Sequence, residues 1–368
     1  MMRRIIIFML FFFNVSLLYT QQAEWLNNKV LEGRYHYGFL LPHHSSIEYS
    51  VQGHIFGYEL NLLEQSSGLS EYDALMNYPR KGYGVSYHWL NNKEVFGSVW
   101  GFYGLYDVPI IREEKFKFTY RIYGGLSYLT KIYDVYDNYL QTAIGTHFNL
   151  YFRLCFDVRY QIGKQLEMDF NTGFTHFSNG NVTEPNLGLN LVTSSLAFNY
   201  SFQPIEWIPK EKKKIPVPEK INIGTYMAGG IKSQGMMKNE RYFKGVINIH
   251  TGYNFSIKRQ AGVGLDIFYD GTVHHSDYVR YDESTFLDTA NVKPIQAGGI
   301  IYHDLHYGNL ILSLQIGAYF LNKKDEYALM YNRTGLKFRA NKPLRFCVML
   351  KSHKTQADYI EFGIEYEL

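Results

Sequence analysis

The segment running from Leu166 to Phe202 carries side chains that could do chemistry. They are His176, Ser178, Asn179, Gly180, Asn186 and Asn190, in the runs His176-Phe177-Ser178-Asn179-Gly180 and Pro185-Asn186-Leu187-Gly188-Leu189-Asn190. Two residues two apart on an extended strand share a face and sit about 6.6 Å apart along it, close enough for an imidazole to reach a hydroxyl. The histidine can then take the serine proton and make the hydroxyl a nucleophile. Asn179 and Gly180 follow directly and offer donors to an oxyanion. On spacing alone, a polar rim where a strand enters a loop is the plainer account. A second His-x-Ser, His43-His44-Ser45, occurs in a proline-containing loop and shows how readily the pair arises by chance.

The element that must position these residues is a strand. Along 166–178 the even positions Leu166, Met168, Phe170, Thr172, Phe174, His176 and Ser178 form one face, against Glu167, Asp169, Asn171, Gly173 and Thr175. Residues 147–160 alternate more sharply. Phe148, Leu150, Phe152, Leu154, Phe156, Val158 and Tyr160 face one way; His147, Asn149, Arg153, Asp157 and Arg159 face the other. Strands this long and this aromatic suit a tilted bilayer crossing, which needs about 9–11 residues in hydrocarbon. The pattern recurs at 116–128, 243–257, 310–320 and 360–368. Further strands are predicted near 53–65, 81–90, 95–106, 188–202, 222–233, 260–270, 295–306, 332–340 and 344–353.

Exposed backbone polar groups are intolerable in lipid, so such strands must close on themselves. The predicted fold is therefore all-β, an antiparallel transmembrane barrel of about 14–16 strands, with two smaller barrels of about 8 strands as the alternative. Parity puts His176, Ser178 and Asn190 on the outer, lipid-facing wall. If hydrocarbon begins near Leu166, about ten residues bring the chain to the far interface, where lipid ester bonds lie. The last strand, with an aromatic near the chain's end, resembles substrates of the outer-membrane assembly machinery.

The N-terminus, Met1-Met2-Arg3-Arg4 followed by an apolar stretch over 5–18, reads as a secretory signal peptide over residues 1–20. No later segment approaches the run of about 18 apolar residues that a spanning helix needs. Residues 203–221 hold Pro204, Pro209, Pro216 and Pro218 and a lysine cluster. Proline cannot donate to a ladder, so this stretch connects rather than pairs. The expected organisation is thus a barrel half over 21–204, a connection over 205–221 and a second half over 222–368. A net charge of +3 gives no nucleic-acid footprint. The two cysteines, Cys155 and Cys347, permit one bridge and equally suit buried thiols.

The His176–Gly180 and Pro185–Asn190 runs resemble the active-site segment of the PagL-type lipid A 3-O-deacylases, whose pattern is His-x-Ser-Asn with a downstream Asn-x-Gly. The resemblance covers about residues 30–204. The whole chain is similar to longer homologues of acyloxyacyl hydrolase type from Bacteroidetes-like bacteria, including the stretch from Leu350-Lys351-Ser352-His353 to Asp358-Tyr359-Ile360-Glu361. It implies an outer-membrane β-barrel of a Gram-negative bacterium that acts on lipid A or other outer-leaflet lipids without a cofactor or metal. In that reading His176 is the base, Ser178 the nucleophile, Asn179 lies in or near the oxyanion site and Asn186 shapes the loop. The family's best-known members have Glu where this chain has Asn190. An Asn can orient a histidine but cannot stabilise the imidazolium with a full charge. The nearest acid is Glu184, beside Pro185.

The sequence leaves a homodimer open. Two other functions compete: a non-catalytic barrel, porin-like or structural, and a phospholipase using the same Ser-His pair. His274, His275 and Asp277, and the run His303-Asp304-Leu305-His306, could be read as metal ligands, with surface polarity the plainer account. Lys351, His353, Asp358 and Glu361 fit a polar barrel interior, and Lys210 to Lys214 a solvated turn.

Overall fold

A computed structural model describes residues 24–205, 207–209, 215–217, 219–234, 240–272, 293–321, 329–341, 343–354 and 356–368. The expected signal peptide, the metal reading of His274, His275 and Asp277, and the Lys210–Lys214 cluster lie outside the described residues.

The first eight strands are β1 (Lys29–Leu40), β2 (Ile55–Gln65), β3 (Arg80–Trp89), β4 (Ser98–Arg112), β5 (Phe116–Leu129), β6 (Phe148–Gln161), β7 (Leu166–Ser178) and β8 (Leu189–Ser201). The next eight are β9 (Ile221–Gln234), β10 (Glu240–Ser256), β11 (Arg259–Asp270), β12 (Ile295–Tyr307), β13 (Leu310–Leu321), β14 (Met330–Asn341), β15 (Leu344–His353) and β16 (Gln356–Glu367). Each set forms a closed antiparallel barrel. The second of the two expected arrangements is therefore the observed one, and a single larger barrel does not form.

The reason is β1, a strand that the sequence pattern did not bring out. It pairs with β2 on one side and with β8 on the other, from Val30↔Ser201 to Leu40↔Leu191. Both edges of the first sheet are thereby used, and β9 has nothing to join. It pairs instead with β10 and β16.

Outward faces are aromatic and aliphatic: Phe148 is 71% exposed, Phe170 54% and Leu265 62%. Inward faces are charged and buried, and the charges meet one another. In the first barrel Arg121 grips Glu32 at 2.7 and 3.0 Å and reaches Asp107 at 2.9 Å. Arg34 lies 3.0 Å from Asp157, and Arg80 and Lys117 share Glu167 at 2.6 and 2.5 Å. In the second, Arg333 sits between Asp266 and Glu361 at 2.9 and 3.2 Å, and Lys244 and Lys351 both reach Asp358 at 2.8 Å. Charges removed from water persist only when paired in this way. The two cysteines are free, one buried in each barrel, so the permitted bridge is not made.

The barrels stand side by side and touch at both ends. At one end the Tyr72 hydroxyl, on the short helix α2 (Glu71–Leu75), donates to His306 O at 2.6 Å, and Lys258 Nζ donates to Leu75 O at 2.6 Å. The first barrel's other short helix, α1 (Ser45–Glu48), lies in the β1–β2 connection. At the opposite end the β7–β8 connection meets the second barrel. Ser233 N–H donates to Asn181 O at 2.8 Å, and Arg241 Nη2 donates to Thr183 Oγ1 at 3.0 Å. This second contact involves the loop that carries the candidate site.

Candidate active site at the end of strand β7

The β7–β8 register sets His176 directly across from Asn190. Opposed residues on one face of an antiparallel pair bring their side chains together, and His176 Nδ1 lies 2.6 Å from Asn190 Oδ1. Along β7 the exposed residues Phe170 and Phe174 share the parity of His176, while Phe177 is fully buried on the inner side. His176 and Ser178 thus occupy the outer wall. They are nonetheless sheltered, with Ser178 5% and Asn190 8% exposed. Part of that shelter is the chain at Gly188, whose φ of +84° favours glycine. A Cβ there would lie 2.7 Å from His176 Cε1.

Ser178 Oγ accepts the N–H of Gly180 at 3.3 Å. Among the described residues, no hydrogen bond joins Ser178 to His176; the direct reach predicted from spacing is not made in this state. Asn179 is the hub of the loop. Its backbone N–H donates to Asn186 Oδ1 at 2.9 Å, and its Nδ2 donates to Thr183 O at 2.9 Å and Thr146 Oγ1 at 3.1 Å. Its Oδ1 accepts from Asn181 N–H at 2.9 Å. All its N–H groups are engaged in folding the loop, so the backbone N–H of Gly180 is the donor that stands at Ser178. Asn186 also bridges to Ile144, which ties this loop to the β5–β6 connection.

The partner of His176 is Asn190, not Glu184. Beyond Asn190 lies His43, which has no partner nearby in the sequence. Asn190 Nδ2 lies 2.9 Å from His43 Nδ1, and His43 Nε2 lies 2.7 Å from Leu187 O. His43 is held there because Leu41 N–H donates to Asn190 O at 2.8 Å, continuing the β1–β8 pairing beyond the strand end. No local motif signals this, since His43 and Asn190 are 147 positions apart and meet only when β1 closes the barrel.

The other candidates do not assemble. His303 and Asp304 alternate faces on β12; Asp304 is bound by Lys337 at 2.9 Å, and His306 Nδ1 lies 3.2 Å from Arg339 Nη2. Lys351, Asp358 and Glu361 are buried inside the second barrel in ion pairs. His250, Glu365 and Glu367 bring ligand atoms within 4.8 Å of one another. Lys337 already holds Glu365 at 2.6 Å and Arg345 holds both glutamates, so the charge a metal would supply is present in the side chains.

Residues 56–199 match the family model described as lipid A 3-O-deacylase (PagL), and residues 221–368 match that described as acyloxyacyl hydrolase, C-terminal domain. No curated protein sequence matches the chain. Among solved structures, one titled "Asymmetric conductivity of engineered proteins" is 8% identical, with 92% of this chain and 99% of that chain covered and a TM-score of 0.19. A triple mutant of the Rhodopseudomonas blastica porin is 7% identical with the same coverage and a TM-score of 0.18. At such TM-scores these likenesses carry no argument. The two family models between them cover strands β2 to β16, and the chain belongs to the PagL-type lipid A 3-O-deacylase and acyloxyacyl hydrolase family.

Proposed function

We propose that this chain is an outer-membrane serine esterase, exported through a signal peptide, that hydrolyses an ester-linked acyl chain of lipid A. The observation that carries the reading is the His176–Asn190 hydrogen bond beside Ser178, on the outer wall of a barrel that belongs to a deacylase family. A carbonyl oxygen only accepts, so His176 Nδ1 carries the proton and Nε2 is bare, the form a base requires.

Ser178 Oγ attacks the acyl carbonyl as its proton passes to His176 Nε2. The Gly180 N–H, released from Oγ, meets the charge that develops on the carbonyl oxygen. Collapse expels the sugar alkoxide, which takes the proton from His176, and leaves the acyl group on Ser178. Water, deprotonated by His176, then attacks this ester, and collapse releases the fatty acid as Ser178 Oγ takes the proton back from His176. Catalytic hydrogen bonds often tighten only when substrate is bound, so the resting separation of His176 and Ser178 is compatible with this path. The ion-paired interior supports the same reading, because its charges are spent on each other rather than lining a passage.

Mass spectrometry of lipid A from cells expressing the protein and its Ser178→Ala variant tests this. Loss of one acyl chain with the protein and none with the variant is expected. Identical lipid A in both, with acyl loss from phospholipids, would favour the phospholipase alternative. No change in any lipid would refute the esterase.

A further inference from the structure

We infer that His43 is a positioning residue that sets the tautomer of His176 through Asn190, so that His43, Asn190 and His176 together take the place of the acid–histidine pair. The inference rests on the esterase reading, but it stands on hydrogen-bond bookkeeping that can be checked without activity.

The chain of contacts begins at Leu187 O, which can only accept. His43 Nε2, 2.7 Å away, must therefore carry a proton. In a neutral ring the other nitrogen is then bare, so His43 Nδ1 accepts, and what faces it at 2.9 Å must be a donor. That fixes the Asn190 amide with Nδ2 toward His43 and Oδ1 toward His176. Oδ1 accepts at 2.6 Å, so His176 Nδ1 holds the proton and Nε2 is free to take one from Ser178. For the neutral ring the reverse order fails at its far end: with the amide turned over, His43 Nδ1 would donate and Nε2 would set a lone pair against the Leu187 carbonyl.

An asparagine alone has no such preference. Its two ends are nearly alike in shape, and turning it would donate to His176 Nδ1, put the proton on Nε2 and disable the base. A carboxylate cannot make that error because both oxygens accept. A neutral amide needs an outside reference, and the Leu187 carbonyl, read through His43, supplies it. The loop is built to hold that reference. Leu41 N–H on Asn190 O fixes the approach of His43, and Gly188 N–H on Ala143 O at 2.9 Å anchors the residue next to Leu187.

The test uses the full chain in detergent or lipid, with His43→Ala, His43→Asn, Asn190→Asp and the His43→Ala/Asn190→Asp double variant. His43→Asn keeps an acceptor near the place of Nδ1. Two readouts are taken: kcat and KM on lipid A, and the 15N shifts of the His176 ring, which report its tautomer. His43→Ala is expected to lower kcat about 10-fold or more with little change in KM, and His43→Asn to recover most of it. In the Asn190→Asp background the same His43→Ala change should cost less than about 3-fold. The His176 ring should be the Nδ1–H tautomer in the unaltered protein and a mixture in His43→Ala.

An unchanged tautomer in His43→Ala overturns the inference whether or not the protein is active. Equal kcat losses from His43→Ala with Asn and with Asp at position 190 overturn it too, since a merely structural role would not depend on that residue. If the unaltered protein hydrolyses no ester while the tautomer shifts as stated, the esterase reading fails and the His43 relation stands.

Discussion

Gly180 of the first barrel packs against the side chain of Ile360 of the second, so closely that a Cβ on Gly180 would overlap Ile360 Cγ1 and Cδ1. Gly180 also has φ +61°, in the left-handed region where side chains are strained. The residue whose N–H stands at Ser178 Oγ is thus pinned by the neighbouring barrel. Asn181 and Thr183 in the same loop are held from the same side, by Ser233 N–H and Arg241. The second barrel therefore reaches the site through this loop.

Gly180→Ala should lower deacylation with little effect on either barrel. The added methyl meets Ile360 and carries a left-handed φ, a local cost of about 1–3 kcal/mol that the loop relieves by moving its N–H away from Ser178. A loss of about 10- to 100-fold in kcat is expected at an unchanged unfolding temperature in detergent, with the oxyanion donor displaced. Adding Ile360→Ala should restore part of it by removing the overlap.

Arg121 is the interior keystone of the first barrel, and its loss should act on stability. Arg121→Met would leave Glu32 with Arg34 and Asp107 with Arg159 as their remaining cations, and the lost charge-assisted hydrogen bonds should cost about 2–3 kcal/mol. A urea titration of the refolded protein should show this as a lowered midpoint. Lys81→Met, which removes an exposed partner 3.7 Å from Glu64, should change the unfolding free energy by less than about 1 kcal/mol and leave the midpoint nearly where it was.

Much of the architecture was legible from alternation, and the exceptions have physical causes. In β6 the aromatic outer face and charged inner face alternate without a break, and the observed strand, Phe148–Gln161, lies within a residue of the predicted span. In β1 the outer row Leu31, Gly33, Tyr35, Tyr37 and Phe39 is interrupted by a glycine, and the inner row is polar at Glu32, Arg34 and His36. That strand passed unseen, and with it the closure that separates two barrels from one. The site divides in the same way. His176 opposite Asn190 follows from strand parity. Asn179, read as an oxyanion donor, has its N–H groups committed to Asn186, Thr183 and Thr146, which only the folded loop reveals. In the sequence His43 belongs to an ordinary His-x-Ser pair, because its partner Asn190 is brought to it only by β1.

The central claim is that Ser178 is a nucleophile activated by His176. The most direct measurement is covalent capture: incubate the full protein in detergent with a long-chain alkyl fluorophosphonate, then map the modified residue by peptide mass spectrometry. The account predicts phosphonylation at Ser178, with fluoride as the leaving group, and its loss in His176→Ala. Labelling that leaves Ser178 unmodified, or that proceeds equally well without His176, would contradict it.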